Sequence, residues 1–288
     1  MSMHQPDKQR SAAELADLLQ RILRRHGPVG VAYSGGVDSA VVAKAAVLVW
    51  GSRCVAITAV SPSLAESELL IARREADEIG IRHVELHTDE FERSEYRSNP
   101  TNRCFFCKNA LYGLASQRLI ELGVECLVNG ANLDDTGDHR PGMRAAALYN
   151  VRSPLIEAQM TKADVRRLAS FWQLSVADKP ASPCLSSRIA YGIPVTEERV
   201  RRVEKAEAFL RNNFELDDFR VRVEADDLAR IEVPVPQLPL LITAVASSEI
   251  TSYFRMIGFR RVTIDLEGFR SGSMNEGMTL VQLKPTPN

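Results

Sequence analysis

The sequence lacks the features that mark a polyanion binder or a membrane protein. Its 36 Lys and Arg stand against 37 Asp and Glu, a formal net charge of −1, so no single-sign field advertises nucleic acid or a membrane surface as a partner. No basic segment followed by an apolar one opens the chain. Met1-Ser2-Met3-His4-Gln5-Pro6-Asp7-Lys8 leads instead into a charged amphipathic stretch, and a cytoplasmic protein is expected. The longest apolar run, within Ala40 to Trp50, is interrupted by Lys44 and falls well short of the roughly 20 residues a membrane span needs. Cysteines number only five, an odd count that argues against a disulfide framework and for reduced thiols open to metal or sulfur chemistry. Internal repeats and low-complexity segments are absent.

What is present is ordinary globular composition, 45% apolar and 25% charged over 288 residues, long enough for two domains. Ser11 and Glu14 form a capping box ahead of a stripe of Leu15, Leu18, Leu19, Ile22 and Leu23, with Gly27 as the stop, which predicts an amphipathic helix. Val29 to Tyr33 then reads as a strand, Ser34 to Ser39 as a glycine turn and Ala40 to Trp50 as a helix. Further strands are expected at Cys54 to Val60, His83 to His87 and Cys126 to Asn129, with helices at Leu64 to Ile79, Leu111 to Leu122 and after Thr161 and Asp164, where Val165, Leu168 and Phe171 share a side. That alternation implies an α/β fold with a doubly wound parallel sheet. Ala177 to Pro194, rich in proline and serine, reads as a long irregular segment. Beyond it a helix over Thr196 to Asn213, strands at Phe219 to Val223 and Ala229 to Val233, a helix around Leu238 to Ile257 broken near Ser247, and strands at Arg261 to Leu266 and Met278 to Leu283 make a second, smaller α/β domain. The division is placed at residues 1–183 and 184–288.

Ser34-Gly35-Gly36-Val37-Asp38-Ser39, between strand and helix, converges backbone N–H groups and a helix dipole on one point, an anion site. The paired glycines admit a phosphate closely and Ser34 and Ser39 add hydroxyl donors. No lysine follows, so it is not a Walker A loop. Mg²⁺ bridging bound phosphates would take a few carboxylates and water, with Asp38 as one candidate. Asn129-Gly130-Ala131-Asn132-Leu133-Asp134-Asp135 follows the fourth strand at the carboxyl edge, where open α/β sheets bind ligands. Asp134 and Asp135 are read either as metal contacts or as helix-cap and turn residues. Arg140 and Arg144, further on, are candidates to serve a nucleotide.

SGGVDS after an apolar strand resembles the pyrophosphate loop of the N-type ATP pyrophosphatases, the superfamily of NAD synthetase, GMP synthetase and thiouridylases. The resemblance implies an adenine nucleotide alpha hydrolase-like sheet, ATP cleaved between the α- and β-phosphates, an adenylated substrate, and Mg²⁺. It also implies that Gly130 and Asp135 lie near the nucleotide and that Thr58 and Ala59, at the end of the second strand, touch adenine.

Asn102-Arg103-Cys104-Phe105-Phe106-Cys107-Lys108 and Pro183-Cys184-Leu185-Ser186-Ser187-Arg188 read as loops carrying three thiols beside cations, which favour thiolates. The C-x-x-C spacing suits a metal. A structural zinc lacks its fourth ligand here, and an iron–sulfur cluster held by three cysteines leaves one iron open. A redox pair is the competing reading of Cys104 and Cys107, and it leaves Cys184 unexplained. Cys54 and Cys126, inside apolar strands, read as buried small hydrophobes.

Taken in order, SGGVDS, RCFFCKNALY, GANLDDTGDHRPGMRAA, VRSPLIEAQMTKADVRRLA and DKPASPCLSSRIAYG resemble the LarE-type sulfur transferases of nickel-pincer nucleotide biosynthesis. The resemblance implies adenylation of a carboxylate of a pyridinium-3,5-biscarboxylate mononucleotide and its conversion to a thiocarboxylate. In one branch the match of Cys184 gives up its own sulfur. In the other, the matches of Cys104, Cys107 and Cys184 hold a 4Fe–4S cluster that carries the sulfide, and the three cysteines here favour that branch. Arg188 is read as orienting the carboxylate or acyl-AMP, or as a cap or domain contact. Arg220 and Arg222, alternating with Phe219, Val221 and Val223, are read as a pair for the substrate phosphate or as a solvated arginine face. The expected partners are a small nucleotide substrate, a sulfide or sulfur donor and further copies of the chain in a homo-oligomer. Transfer RNA thiolation and a non-enzymatic nucleotide-binding or iron–sulfur scaffold role are the alternatives.

Overall fold

The computed structural model describes residues 10–137, 141–216 and 218–270, and the chain divides into two compact units, Met1–Pro183 and Cys184–Asn288. Arg140 and the strand expected at Met278 to Leu283 lie outside the described residues.

The first unit opens with α1 (Ala12–Arg25), whose N-cap Ser11 and Glu14 form the reciprocal capping box. β1 (Val29–Ala32) leads into α2 (Val37–Trp50), β2 (Val55–Val60), α3 (Glu66–Ile79) and β3 (Arg82–His87). The short α4 (Ser94–Arg97), α5 (Arg103–Gln117) and α6 (Leu119–Leu122) precede β4 (Cys126–Val128), and α7 (Pro141–Leu148), α8 (Pro154–Glu157) and α9 (Lys162–Phe171) follow it. The four strands form one parallel sheet in the order β3-β2-β1-β4.

Strand alternation splits the apolar residues between two cores. Val29, Val31, Ala56 and Val128 pack with buried residues of α1, α2, α3 and α9. Val55, Ile57, Leu86 and Leu127 pack on the other side with Leu111, Tyr112, Ala115, Ala145 and Ala146 of α5 and α7. Both faces are covered, which is why β1 and β2 read as near-continuous apolar runs. The α2 helix is predominantly apolar and buries Val37, Ala40 to Ala43, Ala45 and Ala46, while Leu48 near its end is exposed.

The second unit comprises α10 (Glu197–Asn213), β5 (Arg220–Glu224), β6 (Leu228–Glu232), α11 (Leu238–Leu241), α12 (Ala244–Met256) and β7 (Arg261–Ile264). β6 is central, antiparallel to β5 and parallel to β7. Its buried apolar residues include Val200, Val203, Leu210, Val221, Val223, Ile231, Ile250 and Phe254.

Three sequence expectations change. Cys104 and Cys107 sit on the first turns of α5 rather than on a loop. The helical stretch after Leu238 breaks at Ile242 and Thr243, where Thr243 caps α12 through its side chain, and not at Ser247. Phe171, the last residue of α9, is exposed rather than sharing the core with Val165 and Leu168. No helix among the described residues is long and apolar enough to cross a membrane.

Candidate active site

The turn between β1 and α2 is built by its own hydroxyls. Ser39 Oγ donates to Gly36 O at 3.0 Å and accepts from Ser34 N at 3.2 Å, while Ser34 Oγ lies 3.2 Å from it. Gly36 is the N-cap of α2 and makes no side-chain cap bond, so the first N–H groups of the helix are presented to whatever enters the loop. Gly35 has φ +67°, and a Cβ there would stand 2.8 Å from the Cα of Ala72 on α3. Only glycine fits that approach. Gly130 is a second such position, where a Cβ would meet Ser39 N at 2.8 Å and the Asp38 backbone at 3.0 Å. The loop after β4 is thereby laid directly on the first turn of α2.

Asp38, half-buried, is held from both sides. Asn132 Nδ2 donates to its Oδ1 at 3.1 Å and Lys162 Nζ to its Oδ2. Asp135 Oδ2 accepts from Asn132 N at 3.0 Å, and Asp134 Oδ2 accepts from Lys162 N at 2.9 Å. Asp134 therefore serves the N-terminus of α9, the cap role, whereas Asp135 shapes the turn that aims Asn132 at Asp38. Thr58, buried at the end of β2, donates to Tyr33 O at 2.9 Å and lies 2.7 Å from His83 Nε2, and Ala59 beside it is half-buried. Burial pulls the His83 imidazole below its ordinary range and pushes the Tyr33 phenol up. Arg144 is exposed on α7, its guanidinium 5.7 Å from the Phe105 ring.

Two lysines at this loop escaped the sequence reading. Lys162 is bound to Asp38, and Lys179 Nζ donates to Gly35 O at 3.2 Å and to Glu68 Oε2 at 2.7 Å. Their signal was their place in the TKAD and DKPASPC motifs. A search for a lysine next to the glycines, as in a Walker A loop, passes over a lysine that arrives from more than a hundred residues away.

In α5, Cys104 and Cys107 are three residues apart and so share a helix face; Cys104 is exposed and Cys107 half-buried. Arg103, just before them, is buried and donates to Asn99 Oδ1. Two thiols on one turn suit a soft metal. Among the described residues, however, no three His, Cys, Asp or Glu side chains gather into a metal-holding group. For Mg²⁺ that is no obstacle, since it is commonly held by one or two carboxylates plus substrate phosphates.

In the second unit Cys184 is exposed and caps a 3₁₀ turn, Leu185–Arg188. Two arginines of the sequence reading are engaged inside this unit. Arg188 is buried; its Nε donates to Glu207 Oε1 at 3.0 Å and its Nη1 to Cys184 O at 3.2 Å, so it grips the turn, in keeping with its reading as a cap contact. Arg222 is also buried; its Nη2 donates to Glu232 Oε2 at 2.8 Å and its Nη1 to Ser187 O at 3.1 Å. Burial of β5 on both faces forces that pairing, so Arg222 is neither solvated nor extended toward a phosphate. Arg220 is half-buried with its guanidinium 4.9 Å from the Phe269 ring, and burial draws its pKa down. The arrangement presents an exposed thiol on a turn whose carbonyls are pinned by two buried arginines.

Comparison with known proteins follows the same lines. The asparagine synthase family matches residues 11–98, the stretch that contains the glycine loop. An uncharacterized protein of Synechocystis sp. is 45% identical over 249 residues, 86% of this chain and 92% of that protein. The pyridinium-3,5-bisthiocarboxylic acid mononucleotide synthase of Lactiplantibacillus plantarum is 34% identical over 256 residues, 88% of this chain and 91% of that protein. An uncharacterized protein of Methanocaldococcus jannaschii is 28% identical over 241 residues, 84% and 90% of the two chains.

Proposed function

The chain belongs to the family of the Lactiplantibacillus plantarum pyridinium-3,5-bisthiocarboxylic acid mononucleotide synthase, and from that premise we propose that it is an ATP-dependent sulfur transferase. Its substrate is a pyridinium-3,5-biscarboxylate mononucleotide, and its product carries a thiocarboxylate destined for a nickel-pincer cofactor. On this reading residues 1–183 are the ATP pyrophosphatase domain and residues 184–288 serve substrate binding and assembly of a homo-oligomer. The observation that carries the reading is the SGGVDS turn, with open N–H groups at the start of α2 and Lys179 Nζ on Gly35 O.

A carboxylate is a poor acyl donor and must first acquire a good leaving group. Its oxygen attacks the α-phosphorus of ATP, the bond from that phosphorus to the bridging oxygen breaks, and pyrophosphate leaves into the loop. There the α2 dipole, the Ser34 and Ser39 hydroxyls and the Lys179 ammonium meet the charge that builds on it. Thr58 and Ala59 are assigned to the adenine and Gly130 to keeping the phosphate loop closed. Asp38, with Asp135, is the carboxylate that would hold Mg²⁺, which supplies charge neutralisation on the phosphates when bound. Lys162 keeps Asp38 paired until then.

Sulfur then attacks the acyl carbon and AMP departs. Cys104, Cys107 and Cys184 are the proposed sulfur-handling thiols, and no step here passes through iron. With Cys184 as donor, its sulfur forms a thioester; loss of the Cys184 α-proton with cleavage of its Cβ–S bond leaves thiocarboxylate on the substrate and dehydroalanine in the chain. Arg188 and Arg222 hold the turn that presents Cys184.

Pyrophosphate release tests the first half. It is expected with the pyridinium biscarboxylate mononucleotide and not with tRNA, and release stimulated by tRNA alone would replace this reading with tRNA thiolation. Anaerobic reconstitution with iron and sulfide, followed by mass analysis after one turnover, assigns the sulfur. Loss of about 34 Da at Cys184, the mass of H₂S, marks Cys184 as donor. Retained mass with bound iron and sulfide marks a cluster on the three thiols.

A further inference from the structure

One face of α3 is turned to the nucleotide loop in a way the reaction so far does not use. Glu68 and Ala72 lie four residues apart, and Glu75 three beyond, so the three share one stripe. Ala72 abuts Gly35, as its 2.8 Å separation from a hypothetical Cβ shows, and Glu68 receives Lys179 at 2.7 Å. The backbone at Lys179 is fastened as well, since Arg166 donates to Ala177 O at 2.7 Å and to Lys179 O at 3.1 Å. The side chain reaches the loop from a segment that is neither helix nor strand. A four-carbon stem carries much rotamer freedom, and without a partner its ammonium would sample the rim of the loop rather than stay at Gly35 O.

We infer that Glu68 is a positioning residue for pyrophosphate: it acts through Lys179, holding that ammonium against the glycine loop so that the charge is in place before the anion arrives. The inference rests on the proposed role of Lys179. Glu68 and Ala72 together make α3 a brace, one residue fixing the loop backbone and the other aiming its cation. A carboxylate 21% exposed beside an ammonium 15% exposed is a partly desolvated pair, stiffer than a surface ion pair.

The test is binding of inorganic pyrophosphate with Mg²⁺ to the full-length protein by calorimetry, alongside the kinetics of pyrophosphate release. Glu68→Ala is expected to weaken pyrophosphate binding about tenfold, the loss of one charge-assisted hydrogen bond, and to lower kcat while leaving KM for the carboxylate substrate unchanged. Glu68→Gln keeps an acceptor oxygen and is expected to stay within about twofold of the parent. In a Lys179→Met background Glu68→Ala is expected to have no further effect. An equal loss from Glu68→Ala in both backgrounds overturns the inference and leaves the role of Lys179 standing. Tighter pyrophosphate binding by Glu68→Ala would mark Glu68 as a competitor for the ammonium, and also overturns it. Unchanged binding in Lys179→Met overturns both the inference and the lysine's role.

Discussion

At Gly35 a single methyl group is enough to test the nucleotide loop. An L-residue at φ +67° carries a penalty of about 1–2 kcal/mol, and the added Cβ would also push on the backbone of α3. Gly35→Ala is therefore expected to lower Tm and cut pyrophosphate release at least tenfold, since the loop and α3 must separate to make room. Asp38→Asn tests the proposed metal carboxylate more gently, because the amide keeps the shape and the contact to Asn132. Pyrophosphate release should be lost while Cys184 reacts with a thiol reagent as before, and unchanged release would remove Asp38 from metal binding. Glu75, on the same stripe of α3, reports through pH. Burial raises its carboxyl to about 7, against roughly 4.3 in an unfolded chain. Between those values the folded state holds more protons than the unfolded one, so stability falls as pH rises through this window and levels off above it. Glu75→Gln should flatten that slope and raise Tm at pH 8 relative to the parent. An unaltered pH profile of Tm would show that Glu75 titrates normally.

Among the elements, α9 links local helix chemistry to the site most directly. Thr161 Oγ1 accepts from Asp164 N at 3.2 Å and Asp164 Oδ2 accepts from Thr161 N at 3.0 Å, a reciprocal cap that fixes the first turn. The first residue of that turn is Lys162, whose ammonium holds Asp38. Thr161→Ala should cost about 1 kcal/mol of stability and raise KM for ATP, as thermal unfolding and pyrophosphate-release kinetics would register. This cap was legible in the sequence, as were the cap of α1, the alternation of β1 to β4 with helices, and the glycine turn, because each is written within a few neighbouring residues. The start of α5 was not. Its N-cap, Asn102, makes no side-chain bond to the helix, and a C-x-x-C preceded by Pro100 and enclosing Phe105 and Phe106 carries no capping signal to set against its resemblance to a metal loop. The tasks of Arg188 and Arg222 were hidden for another reason: alternation tells which way a side chain leaves a strand, but not that Glu207 and Glu232 wait there to neutralise it. Lys179 and Glu68, 111 residues apart, meet only after the sheet has formed.

Across the whole molecule the proposed half-reactions would draw on different compact units, ATP chemistry on the first and the Cys184 turn on the second. That division makes the halves separable by substitution. Cys184→Ser leaves the loop, Asp38, Lys162 and Lys179 untouched, and the hydroxyl keeps the volume of an exposed cap residue, so folding should be unaffected. With ATP, Mg²⁺ and the pyridinium biscarboxylate mononucleotide, this variant is expected to release pyrophosphate and stop at the acyl-adenylate, with no thiocarboxylate detected by mass spectrometry. Asp38→Asn should fail one step earlier and release none. If Cys184→Ser made thiocarboxylate at the parent rate, sulfur would have to come from elsewhere, and the pinned turn would be an architectural feature of the second unit. If instead it lost pyrophosphate release as fully as Asp38→Asn, adenylation would depend on the second unit, and the assignment of one half-reaction to each would fail.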